Sequence, residues 1–133
     1  MTHNKKIFNG TPHVIVILEP ECAEFVPDIR KNVLVGEKQV ITTLSAGTSL
    51  SARYKKTTLE PVNGIQVVIN PCTGCDELPD GYDYYLVSQQ YASARRELGL
   101  DTSKLLTVGD PVYSTGDQPK PIGCLGFQMV ATV

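Results

Sequence analysis

Cys72 and Cys75 stand two residues apart in NPCTGCDEL, residues 70–78, the spacing of dithiol redox centres and of half a zinc site. A redox pair of this kind needs its first cysteine at a helix N-terminus, where the dipole lowers the thiol pKa. DELPDG follows Cys75 and stops any helix at once. A structural zinc needs about four ligands. Cys22 lies beside a proline turn and Cys124 sits in an apolar strand pattern, with no second CxxC to join them. The segment is therefore expected to be a loop after IQVVIN, with Pro71 and Gly74 as turn residues.

The remaining reactive side chains assemble no reaction centre. His3 lies in the first residues, and His13 follows Thr11-Pro12, where a ring nitrogen can satisfy a turn backbone. There is no GxSxG, HExxH or P-loop, and the acidic pairs Asp76/Glu77 and Asp80/Asp83 lie in turn-rich text. No catalytic residue, cofactor or metal is expected.

A better candidate is the strand-to-helix junction YDYYLVSQQYASARREL. A helix N-terminus offers free backbone N–H groups to an anion. Arg95 and Arg96 can pair with phosphates bidentately, although they lie toward the far end of the helix. Tyr82, Tyr84, Tyr85 and Tyr91 surround the same stretch and offer faces to a nucleobase. The competing reading is that the tyrosines fill the edge of a core and the arginines face solvent.

These residues need a scaffold, and the punctuation of the chain supplies one. At 133 residues it is one domain, 1–133, with residues 1–7 expected to be flexible. VIVIL at 14–18 reads as a buried strand after the Asn-Gly-Thr-Pro turn, ended by Pro20. NVLVG at 32–36 and QVITTL at 39–44 read as a hairpin joined by Gly-Glu-Lys. Val-Asn-Gly before IQVVIN marks a second hairpin. YYLVS reads as a strand, Ser88 as the N-cap of a helix over about 88–98, and Gly99 as its C′ residue. LLTVG at 105–109, PVYS at 111–114 and IGCLGFQMV at 122–130 read as closing strands. The expectation is an α+β fold, a mainly antiparallel sheet with one helix.

The net charge of −2 argues against a general nucleic-acid surface. The longest apolar runs fall far short of the roughly 20 residues that span a bilayer. The N-terminus carries no signal-peptide pattern, so the expected setting is cytoplasmic.

NGTPHVIVIL near the start, YYLVSQQYASARREL in the second half and GDPVYSTGDQPKPIGCLGF at the close follow one another as in small proteins encoded by phages and prophages. The chain resembles this group, and with it the Thoeris anti-defence sponges of phages. The resemblance implies a phage-derived protein in the host cytoplasm that binds a cyclic ADP-ribose isomer, or cyclic oligonucleotides, without cleaving it. With the charge and the short apolar runs above, no DNA or membrane partner is expected. The resemblance also implies a homo-oligomer whose ligand pocket lies between subunits, as suits a chain with little interior to spare. On this reading Arg53, Arg95, Arg96 and Lys120 are candidate phosphate partners, Tyr84, Tyr91 and Tyr113 are candidate stacking groups, and Ser88 caps the helix at the site. Tyr113 stands where similar chains carry arginine, and the CxxC is no part of the resemblance. The rival readings are a small nucleotide hydrolase or phosphodiesterase using His13 or an acidic pair, and a protein-binding accessory module.

Overall fold

The structure, a computed structural model, describes residues 5–130. Its twelve strands and one helix run β1 (Ile7–Asn9), β2 (Ile15–Leu18), β3 (Ala23–Val26), β4 (Lys31–Leu34), β5 (Val40–Leu44), β6 (Ala52–Tyr54), β7 (Thr57–Val62), β8 (Ile65–Ile69), β9 (Cys72–Cys75), β10 (Tyr84–Leu86), α1 (Gln89–Glu97), β11 (Leu105–Tyr113) and β12 (Gly123–Met129). The fold is α+β, with a mainly antiparallel, nearly closed sheet. Eight strands form it in the order β1-β10-β11-β12-β2-β5, with β4 and then β3 attached to β11.

β11 is the spine. Its first residues pair in parallel with β10, Leu106 opposite Leu86, and its last pair in parallel with β4, Val112 opposite Asn32. β12 lines the other edge antiparallel from Leu106/Met129 to Val112/Gly123. Pro111, which splits the sequence pattern into LLTVG and PVYS, is accommodated inside this single strand. The Val112 carbonyl accepts from Ile122 N at 2.8 Å, so residue 112 faces β12 and alternation turns the Pro111 nitrogen to the other edge. That edge is open between Leu106 and Val112, where a missing N–H costs no ladder bond.

The two strands approach closely where Gly109 meets Gly126. A Cβ on Gly109 would come within 2.4 Å of the Leu125 carbonyl oxygen, and Gly126 sits at φ 74°. The buried apolar residues form two clusters. One cluster packs Tyr85, Val87, Tyr91, Ala92, Leu105 and Leu50 beneath α1. The other packs Leu18, Cys22 and Val112 at the far end.

The helix forms as the sequence demands. Ser88 Oγ accepts from Tyr91 N at 3.1 Å. Gly99, at φ 73°, donates to Arg96 O while Leu100 N donates to Arg95 O, a Schellman close. The Asn63-Gly64 turn, both residues at positive φ, joins β7 to β8 as expected.

Three expectations are corrected. NVLVG and QVITTL do not form a hairpin: both edges of β4 are taken, by β3 and β11, and β5 pairs with β2 instead. CTGC is strand β9 rather than a loop, paired antiparallel with β6 around an irregularity at Thr73. Residues 1–4 lie outside the described residues. Lys6 and Ile7 are tied down: Lys6 O accepts from Tyr84 N, and Ile7 pairs with Tyr84.

Candidate functional site

The parallel strands β1 and β10 end side by side, at Asn9 and Leu86, and their carboxyl ends open onto one cleft. In sheets with parallel strands this edge is where ligands seat, because the following loops and helix N-termini gather there. Here β10 runs through Val87 and Ser88 into α1, and β1 runs into Gly10-Thr11-Pro12-His13. The cleft, of about 240 Å³, is lined by this loop together with Ile15, Ser49, Val87, Ser88, Gln89, Thr107 and Val108.

Asn9 builds the loop. Its buried side-chain amide donates to the His13 and Ser45 carbonyls at 2.8 and 2.9 Å, and its Oδ1 accepts from Thr11 N and Thr11 Oγ1 at 3.0 and 2.7 Å. Three of these bonds fold 9–13 on itself, and the fourth ties the loop to Ser45. Gly47 is required because a Cβ there would lie 1.8 Å from the Asn9 carbonyl oxygen.

The open end of α1 offers donors to an anion at the edge of a mainly apolar cleft. Tyr91 N is satisfied by Ser88, which leaves the Gln89 and Gln90 N–H groups at the open end of α1, and no acidic residue stands in its first turn. Thr11, Ser49 and Thr107 supply hydroxyls, Gln89 Nε2 reaches Thr107 Oγ1 at 3.4 Å, and His13 is exposed at the rim. An apolar groove of about 260 Å³, walled by Val14, Val16, Pro111, Pro121 and Ile122, continues from the cleft through the shared residues Ile15 and Val108. A polar head in the cleft and a flat apolar group in the groove would fit this pair of spaces.

Of the residues expected to bind the ligand, only Ser88 lines this cleft, joined by His13, the base named for the rival hydrolase. Tyr91 is 1% exposed, and its hydroxyl donates to the Asp76 carbonyl, so no face is open for stacking. Burial raises its phenol pKa, with Arg95 partly opposing. Arg95 is itself buried, its Nε donating to Asp101 O at 3.0 Å, and it borders a hollow between α1 and β9. Arg96 is exposed and engaged within the chain. Arg53 lies on β6 in an ion pair with Asp76 at 2.9 Å. Tyr84 is half-buried in β10. Tyr113 lies at the opposite end of β11, with Lys31 Nζ 4.5 Å above its ring, and Lys120 is exposed on the loop that follows. The arginines and tyrosines thus divide among three places.

Sequence reasoning missed Thr11, Ser49, Gln89 and Thr107. The Asn-Gly-Thr-Pro turn was the available signal. Its meeting with Ser88 depends on the β1–β10 pairing, which no local pattern encodes.

The cysteines do not converge. Cys72 is buried, with its thiol directed at Gly74 O at 3.3 Å, and burial raises the Cys124 thiol pKa. Among the described residues no three of His, Cys, Asp or Glu come together in a group that could hold a metal. Among them, too, no helix is long and apolar enough to cross a membrane.

No family model, no curated protein and no solved structure matches this chain.

Proposed function

We propose that this protein sequesters a small nucleotide signal without cleaving it, a cyclic ADP-ribose isomer or a cyclic oligonucleotide, as a phage-derived sponge in the host cytoplasm. The observation that supports this most is the joining of an acid-free helix N-terminus to the hydroxyl-bearing loop after β1, at the carboxyl ends of two parallel strands. Phosphate oxygens would accept from the Gln89 and Gln90 N–H groups and the Ser49 and Thr107 hydroxyls, and the base or ribose would lie along the apolar groove. The cleft alone holds only part of such a ligand, which agrees with a homo-oligomer in which a second subunit completes the site.

The test is to incubate the protein with a cyclic ADP-ribose isomer, remove free ligand, release the bound fraction by heat and weigh it. Return of the unchanged molecule is expected, with Ser49→Ala and His13→Ala retaining less. Failure to bind any member of a panel of cyclic nucleotides would falsify the reading. The position of His13 at the rim favours one rival, a nucleotide hydrolase with His13 as general base. Release of an opened or shortened nucleotide would establish that rival.

A further inference from the structure

A second hollow, of about 410 Å³, lies at the other end of β11. Phe25, Ile29, Arg30, Lys31, Asn32, Asp110, Pro111 and Tyr113 border it. We propose that it binds a nucleoside monophosphate whose base carries an exocyclic amine, with Arg30 on the phosphate, Phe25 against the base, and Asp110 and Asn32 reading the amine. This stands independently of the helix cleft.

The backbone supplies the first argument. The β3–β4 hairpin closes through residues 27–30, with Ile29 N bonded to Val26 O and Arg30 N to Pro27 O, both at 3.3 Å. Arg30 then occupies the left-handed region at φ 54°. In hairpin loops of this kind that position belongs to glycine or asparagine, since a Cβ there meets backbone. An arginine at such a position is strain of the kind that gathers at functional sites.

The side chains supply the second. Among the described residues, the Arg30, Asn32 and Asp110 side chains have no hydrogen-bond or ion-pair partner, yet all three border one hollow. A guanidinium offers a planar fork to phosphate, and a carboxylate and an amide carbonyl both accept from an amine. Lys31 adds a fixed positive charge, held by the Gly116 and Gln118 carbonyls at 3.3 and 3.4 Å and by the Tyr113 ring. Lys31 covers one Tyr113 face, whereas Phe25 is 53% exposed and leaves an aromatic surface open. The volume falls within the range of small-molecule sites, roughly 300–1,000 Å³.

Calorimetric titration of the full chain with AMP, CMP, IMP, UMP, adenosine and inorganic phosphate tests this. AMP or CMP is expected to bind, with IMP or UMP and the phosphate-free nucleoside weaker by about tenfold or more, because a site built for an amine rejects analogues lacking it. Arg30→Gly is expected to weaken AMP or CMP by about tenfold while leaving the melting temperature equal or higher, since glycine relieves the strained backbone. Phe25→Ala should weaken binding comparably, and His13→Ala in the helix cleft should not. The inference is overturned if neither AMP nor CMP binds, if IMP and UMP bind as well as their aminated counterparts, if Arg30→Gly binds like the wild type, or if His13→Ala is the variant that loses binding.

Discussion

Asp76 fastens the start of β6 to the end of β9. Its two carboxylate oxygens accept from Ser51 N at 2.8 Å and from Arg53 Nη1 at 2.9 Å. The backbone bond, and then the arginine, lower its pKa from 3.8. A folded-state pKa below the unfolded one means that the ionised carboxylate favours the native chain. The stabilisation is complete above the unfolded value and is lost as pH falls through the folded one. The melting temperature should therefore drop below about pH 4, and Asp76→Asn should be less stable at neutral pH with a shallower acid limb. Asp101 and Asp117, also lowered by hydrogen bonds from Ser103 and Thr115, should keep part of the slope. Thermal melts from pH 2 to 7 decide it, and superimposable acid limbs would remove Asp76 from the account. The sequence marked Asp76 only as a turn acid beside Glu77. The register that brings Ser51 and Arg53 opposite it depends on β6 finding β9, which residue types alone do not specify.

At the scale of elements, what was legible had its cause nearby in the chain. Ser88, the apolar face and Gly99 enclose α1, and Asn63-Gly64 sets the β7–β8 turn, because caps and turns are satisfied within a few residues. What was missed depends on distant strands. β1 and β9 are short, and each exists through a partner far along the chain, β10 and β6 respectively. The adjacent runs at 32–44 looked like a hairpin only because their alternative partners were invisible. The cap also permits a test that separates fold from site. Ser88→Ala should cost about 1 kcal/mol through loss of the bond to Tyr91 N. Ser88→Asp keeps a capping oxygen and adds a favourable charge for the helix dipole, so it should melt no lower than the wild type. It also places a carboxylate in the cleft, and an anionic ligand should then bind far more weakly. Wild-type affinity for the cyclic nucleotide in a folded Ser88→Asp protein would move the site away from α1.

Among the described residues, the β7–β8 ribbon carries a row of exposed aliphatic side chains. β6 and β9 form a two-stranded ribbon that packs on α1, and β7 and β8 form a second that follows it, with Lys55 N donating to Pro71 O between them. β7 and β8 pack mainly on each other. Val62 pairs with Ile65, Leu59 with Val67 and Thr57 with Ile69, which puts an almost wholly aliphatic set on one face of the ribbon. Ile65 is 69% exposed and Val62 58% exposed. A two-stranded ribbon is marginal in water unless its apolar face is covered. The face carries no charge, so two copies can meet through it about a twofold axis without opposing like charges. Covering this ribbon gives the proposed homo-oligomer a defined contact. Native mass spectrometry should find the wild type as a dimer or a higher assembly. Val62→Thr, Ile65→Thr and Ile69→Thr together keep strand propensity and remove the aliphatic face, so they should yield a monomer with an unchanged circular dichroism spectrum, because the two core clusters lie elsewhere. A wild type that is monomeric at micromolar concentration, or a triple variant that keeps the wild-type mass, would show that the β7–β8 ribbon serves something other than a second copy.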